Sequence, residues 1–410
     1  MAASDSTSLS PRAALVHRLA SSLGFALIGI APALPSERAA ELRAWLDAGK
    51  HGEMDYLARY AEVAIDPQNV LPGARAIICV ADRYEGKEAS SEFRVPGSEL
   101  TQELENDTDS ATRNSELETR NFPSGRIARY AQGDDYHRVM KNRLHELADS
   151  LREQFPEHLF RTTVDTAPVM EREHAARAGL GWVGKHTLLI HPLIGSYFLL
   201  GEILTTLPLE TSADAGFPSP TVAPLDHCGS CTRCIDACPT QCITPYSVDA
   251  SRCISYLTIE HRGEIAPAMH PMMGDWLAGC DVCQQVCPYN ALKSEISNSK
   301  SETSNSKSEM SNPRPAVRSS YTPRLPALPL LSILNWTEDQ RQAALVRSPL
   351  KRIKLDMFKR NALIATGNHL ADRKDASLRA RIESLAVSAE ESELVRNTAG
   401  AVVRRLAVGP

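Results

Sequence analysis

Nine of the chain's ten cysteines lie between residues 228 and 287, and eight of them form one constellation. Cys228, Cys231, Cys234 and Cys238, followed by Pro239, read C-x2-C-x2-C-x3-C-P. Cys280, Cys283 and Cys287, followed by Pro288, read C-x2-C-x3-C-P, and Cys253 stands alone between the two runs. Three cysteines at two-residue gaps let one loop wrap the corner of an iron–sulfur cube. The fourth, past a turn and before proline, points away and ligates the other cube. This crossing predicts two [4Fe-4S] clusters. Cys228, Cys231, Cys234 and Cys287 hold the first, and Cys238, Cys253, Cys280 and Cys283 hold the second. A pair of structural zinc sites is the competing reading; the doubled endings and the count of four plus four disfavour it. Cys79 lies in an apolar run and reads as core, and Cys242 is left over once both sets are filled.

Two adjacent cubes form a one-electron wire, and a wire needs a terminus. No G-x-G-x-x-G follows a strand pattern and no Walker loop occurs. The remaining termini are a flavin, a corrinoid or a partner protein.

The elements around the block set its frame. Ser10-Pro11 opens a helix through Leu15, Leu19 and Leu23, which Gly24 stops. Strands are expected at Phe25–Ala31, at Ala74–Ala81, just before Asp165 and at Tyr197–Leu204. Helices are expected at Ser36–Ala48, at Tyr136–Gln154 and from Pro168. Strands alternating with helices predict an α/β (α+β) domain over 1–210. Residues 85–120, with ten acids and four bases, read as a mobile insertion. A ferredoxin-like two-cluster domain spans 211–292 and a low-complexity linker 293–312. Helical patterns at 337–347, 355–370, 376–388 and 390–406 predict all-α HEAT-like repeats over 313–410.

Charge is uneven. The whole chain carries −5, yet residues 313–410 hold 17 Lys/Arg against 9 Asp/Glu. Two oxidised clusters with their thiolates would make the total more negative by about four, so any RNA contact falls to the basic tail. There Arg341, Arg347, Lys351, Arg352, Lys354, Lys359 and Arg360 face one acid, Asp356. The run is either a solvated helical face or a phosphate-binding surface. Residues 1–11 show no basic region ahead of an apolar core, and no run of eighteen apolar residues occurs. The expectation is a cytoplasmic protein without a membrane segment.

Several stretches resemble the epoxyqueuosine reductase family, cobalamin-dependent enzymes that finish queuosine in tRNA. They are RIARYAQGDDYH at 126–137, VDTAPVMEREHAARAGLGWVGKHTL at 164–188, GSYFLLGEILT at 195–205, CISYLTIEHRG at 253–263 and GCDVCQQVCPYN at 279–290. The acidic insertion and serine-rich linker depart from the pattern. The resemblance implies a base-off cobalamin between the first two domains. In agreement, Asp135-Tyr136-His137 begins the D-x-H-x-x-G motif of a lower histidine ligand, but Met140 replaces its glycine.

The resemblance also implies a substrate, the epoxide of epoxyqueuosine at a tRNA wobble position, and Asp165 as the acid that protonates the opening oxygen. Burial against the corrin would raise the pKa of that carboxyl; as a sequence feature alone, Asp165 reads first as the cap of the helix near Pro168. Arg129, Tyr130, His137, Lys185, His186, Cys280 and Asp281 fall in matching motifs and are expected along the cofactor. Ser255, Tyr256, Thr258, Glu260 and Arg262, taken as a strand-like segment, are expected at the tRNA, with Tyr256 or Tyr289 stacking on the base and Lys351, Arg352 and Lys354 on phosphates. A low-potential donor protein and a monomeric enzyme complete the expectation. The competing functions are a reductive dehalogenase and a non-enzymatic ferredoxin-like electron carrier. The missing export signal and basic tail weigh against the first, and the large α/β domain weighs against the second.

Overall fold

The computed structural model describes residues 10–84, 123–212, 227–291 and 317–408. The expected insertion at 85–120 and linker at 293–312 lie outside the described residues.

Helix α1 (Pro11–Ser22) begins as its residues dictate. The Ser10 side chain accepts the Ala13 N–H, and Pro11 occupies the first turn, where its missing N–H costs nothing. Strands β1 (Leu27–Pro32) and β2 (Ala76–Arg83) follow, then β3 (Ser124–Ile127), α2 (Tyr136–Gln154), β4 (Phe160–Thr163), α3 (Glu171–Arg177) and β5 (Phe198–Thr205). The main sheet has the order β1-β2-β5-β4, and every pairing in it is antiparallel. The first unit is therefore α+β, not a parallel α/β sheet. Alternation of strands and helices along a chain reports their order and leaves strand direction open.

Strand β2 shows why the sheet is covered on both faces. Ile78 and Val80 pack with Val16, Met140 and Leu144 of α1 and α2, whereas Ile77, Cys79 and Ala81 pack with Ala175 and Ala178 at α3. Successive side chains alternate between faces, so a strand buried on both reads as one apolar run. Helices press close. A Cβ on Gly201 would stand 2.6 Å from the Met140 sulfur, so a larger residue there would require Met140 to move.

The three sequence segments are stitched together rather than strung as separate bodies. Strand β6 (Trp276–Ala278), from the cysteine block, pairs parallel with β3, and β7 (Ala327–Pro329), from the tail, pairs antiparallel with its other edge. Just before β7, the Tyr321 hydroxyl donates to Asp82 at 2.9 Å, and Asp82 also receives the Arg143 guanidinium. The tail then forms α5 (Leu355–Asp372), α6 (Ala376–Val387) and α7 (Glu393–Val408), close to the expected bounds, around Phe358, Leu363, Ile382, Val395 and Val402. Among the described residues no helix is long and apolar enough to cross a membrane.

Candidate active site

The turn between β4 and α3 presents Asp165 with φ +51, in the left-handed region a non-glycine residue rarely adopts. Its carboxylate is held from α2. The Tyr136 hydroxyl donates to Asp165 Oδ2 at 2.8 Å, and His137 Nε2 lies 2.9 Å from the same oxygen. His137 Nδ1 lies 2.9 Å from Asp135 Oδ1, and the Tyr136 and His137 rings stack with centroids 4.0 Å apart. Two consecutive residues at one helix start thus converge on one carboxylate, and the residue before them, Asp135, holds the His137 ring. Asp165 does not cap α3, whose N-cap is Met170.

The electrostatics reverse the expected pKa. Burial pushes the Asp165 carboxyl up, but the hydrogen bonds from His137 and Tyr136 outweigh it and leave the group below its ordinary value. Burial pulls the His137 imidazole down, and the bonds to Asp165 and Asp135 more than restore it, leaving it above 6.5. The shared proton therefore rests on His137. The sequence contains the Asp-Tyr-His run, but nothing in its spacing says that it meets Asp165.

The four cysteines expected for the second cluster line one hollow of about 350 Å³. Its other wall is apolar and comes from β5 and from the loop before it, including Leu188, Leu189 and Leu199. Burial pushes the Cys280 thiol up to about 12 and Cys283 higher still, so four thiolates cannot share this pocket without compensating positive charge. Gly279 sets up the approach; its φ is +76, and a Cβ there would stand 2.4 Å from Ala128 Cβ. The first set gathers separately. After burial, the charges of Cys228, Cys287 and Cys231 are what raise the Cys234 thiol. Cys242 Sγ lies 3.5 Å from Cys238 Sγ and also lines the hollow, closer to the second set than its place outside the motif suggests.

The expected cofactor residues divide. Tyr130, His186, Cys280 and Asp281 line the hollow. Asp281 Oδ2 accepts the Arg129 backbone N–H at 2.8 Å, and the Arg129 guanidinium lies 4.7 Å over the Tyr197 ring. Lys185 faces elsewhere. Its Nζ donates to Gly229 O at 2.5 Å and Cys231 O at 3.2 Å, because the turn between Trp182–Val183 and Leu189–Ile190 aims it at the first-cluster loop. Arg172 lines the hollow and donates to Thr187 O at 2.6 Å; no pattern in the sequence singles it out. Asn290 and Gln284 fasten the cysteine block to Ser196 ahead of β5.

The expected tRNA segment is a helix, not a strand: α4 (Ile254–Ile259) starts from Cys253 as its N-cap. Tyr256 is buried and its hydroxyl accepts the Glu53 N–H at 2.7 Å, so its ring offers no open face. Thr258 is also buried, its hydroxyl bonded back to Ile254 O. Ser255 lines the hollow, Glu260 pairs with Arg352 at 2.6 Å, and Arg262 is exposed. Tyr289 packs edge-on against Trp182 beside the first set, with its hydroxyl donating to His227 O. The basic run also splits. Lys351, Arg352 and Lys354 are exposed, whereas Arg341, Lys359 and Arg360 are buried. Lys359 pairs with Glu391 at 2.5 Å, and the Arg347 guanidinium bonds Asp134. Tyr56, 47% exposed, senses the charges of Glu260, Arg352 and Asp165.

A model described as a 4Fe-4S double cluster binding domain matches residues 227–290, and one described as epoxyqueuosine reductase QueG, DUF1730, matches residues 65–166. An epoxyqueuosine reductase of Burkholderia pseudomallei is 35% identical over 405 residues, covering 94% of this chain and 91% of that protein. The chain belongs to the epoxyqueuosine reductase family. The enzyme of Escherichia coli K12 is also 35% identical, over 84% of this chain and 78% of its own. Among solved structures, an epoxyqueuosine reductase with an epoxyqueuosine-modified tRNA-Tyr stem loop superposes with TM-score 0.73 at 25% identity, covering 95% of this chain and 88% of that one. A Bacillus subtilis epoxyqueuosine reductase, solved with its catalytic aspartate loop swung out of the active site, superposes with TM-score 0.71 at 25% identity, over 95% and 90%.

Proposed function

We propose how this member of the epoxyqueuosine reductase family carries out its reaction, the reduction of epoxyqueuosine in tRNA to queuosine. The double-cluster domain provides one-electron transfer from an external low-potential donor protein. The observation that carries the reading is the hollow itself. All four second-set thiols open into an apolar cavity, and Tyr130 forms part of its wall while also lying within electrostatic reach of Asp165.

With the second cluster on its cysteine wall, the apolar wall of the hollow would face a corrin placed beside that cluster. His186 is buried, and its Nδ1 accepts the Leu188 N–H at 3.2 Å, which puts the ring proton on Nε2. Among the described residues that buried Nε2 has no hydrogen-bond partner, which leaves it a donor in need of one. This supports base-off cobalamin held by Tyr130, His186, Arg172 and the Cys280–Asp281 backbone. Cobalamin, when bound, supplies a low-valent cobalt centre that can reduce the epoxide carbon. The chain's own residues handle the oxygen. The oxygen leaves as water after two electrons and two protons; Asp165 would deliver to the opening oxygen a proton drawn from His137, the second coming from solvent, while Tyr136 holds the carboxylate's aim.

The C-terminal helices, read as a HEAT-like pair, bring Lys351, Arg352 and Lys354 to the anticodon stem. Glu260, Arg262 and the exposed Tyr56 ring would meet the wobble nucleoside, with Tyr56 rather than Tyr256 stacking on the base. The Asp165 turn would swing in this chain as it does in the Bacillus enzyme. The test is anaerobic reconstitution with iron, sulfide and cobalamin, followed by mass spectrometry of nucleosides from tRNA bearing the epoxide. Conversion to queuosine only with cobalamin present supports the reading; full conversion without it overturns the corrin assignment.

A further inference from the structure

We propose that Glu171 is a positioning residue whose side chain latches the Asp165 turn in its working conformation. The inference rests on Asp165 being the acid. Glu171 Oε1 accepts the Asp165 backbone N–H at 2.6 Å. Tyr136 and His137 hold the Asp165 side chain from α2, so Glu171, on α3, is the handle on its main chain. The handle matters because φ +51 is unfavourable for aspartate and persists only where neighbours impose it.

The latch has a rigid mount. One turn along α3, buried His174 lies 3.2 Å from Glu202 on β5. Glu173 accepts from the Ser36 hydroxyl and the Glu37 N–H, and it pairs with Arg177. Helix α3 therefore cannot turn to release Glu171 without breaking several buried contacts. Burial, and then the charges of Glu202 and Asp165, push the Glu171 carboxyl well above its ordinary value. A protonated Glu171 still offers a carbonyl oxygen to the Asp165 N–H and adds no second negative charge beside the acid.

The carbonyl role makes glutamine a faithful substitute and alanine a broken latch. In reconstituted holoenzyme, E171A should lower kcat about a hundredfold with KM for tRNA within about twofold. Amide exchange in the peptide 164–170 should speed up about tenfold for one lost hydrogen bond. E171Q should restore slow exchange and most of kcat. The proposal is overturned if exchange in E171A matches wild type, or if E171Q behaves like E171A. The two readings separate in D165A. Full turnover in D165A removes Asp165 as the acid, whereas the exchange result in E171A judges the latch by itself.

Discussion

His137 Nε2 stands 2.9 Å from Asp165 Oδ2, and its other ring nitrogen stands 2.9 Å from Asp135 Oδ1. An imidazole between two carboxylates keeps its proton to a higher pH than a free one, despite the downward pull of burial. The acid form is present below that raised value and is lost as pH rises through it. Turnover should therefore fall on the alkaline side with a midpoint above 6.5. In H137Q the last proton holder is the Asp165 carboxyl, so the falling limb should move to lower pH. D165N should lose roughly 10²–10⁴-fold in kcat. An H137Q profile superposable on wild type would remove the imidazole from the proton path.

Crossed ligation, if the two sets are as expected from the cysteine spacing, predicts an outcome that sequence neighbours alone would not. Cys280 and Cys287 belong to one run, yet Cys280 lines the hollow whereas Cys287 is grouped with Cys228, Cys231 and Cys234. C287S and C228S should lose the same cluster and leave about four irons of about eight, with matching electron paramagnetic resonance spectra. C280S should also keep about four irons but show the other spectrum. C242S should retain about eight. Matching spectra for C287S and C280S would dismiss the crossed sets.

What could be read without coordinates follows from periodicity and spacing. Helix α2 has the expected bounds because its apolar face, Met140, Leu144, Leu147 and Leu151, repeats at helical intervals. The cysteine gaps carry their chemistry in the chain itself. Three things were illegible for stated reasons. Strand direction leaves no mark on a run buried on both faces, so the antiparallel sheet had to be seen. Segment 254–259 is rich in β-branched and aromatic residues, yet it is helical because Arg360 and Asn361 bind its carbonyls from another element. The approach of His137 to Asp165 joins residues 28 apart, through packing of α2 on the sheet.

The split basic run separates charges that RNA can meet from charges that hold the fold. Lys351 and Lys354 are exposed, whereas Lys359 is buried against Glu391. Each phosphate-contacting lysine should contribute about one unit to the slope of log affinity against log salt. K351A/K354A should flatten that slope by about two and weaken binding of all tRNAs alike. K359M should leave the slope unchanged while lowering stability, since it leaves the half-buried Glu391 carboxylate with only Arg381, 4.0 Å away. Filter-binding titrations over a salt series decide this, and an unchanged slope in K351A/K354A would move the stem contacts elsewhere.

Arg360 is fully buried and donates to Leu257 O, His261 O and Gly263 O at 2.6–2.7 Å, a cation set against the last turn of α4. Burial lowers its pKa only to about 10, so it stays charged at neutral pH. Asn361 extends the clamp to Thr258 O and Leu277 O. The same short helix begins at Cys253, a ligand assigned to the second cluster. The tail thus braces, from the far end of one helix, the residue expected as a cluster ligand. R360M would leave three carbonyls without donors, at a cost on the order of 3 kcal/mol or more. It should also let a chelator strip the second cluster before the first, with the first-set spectrum persisting. Loss of both clusters at equal rates would show that the clamp supports the fold in general and not Cys253 in particular.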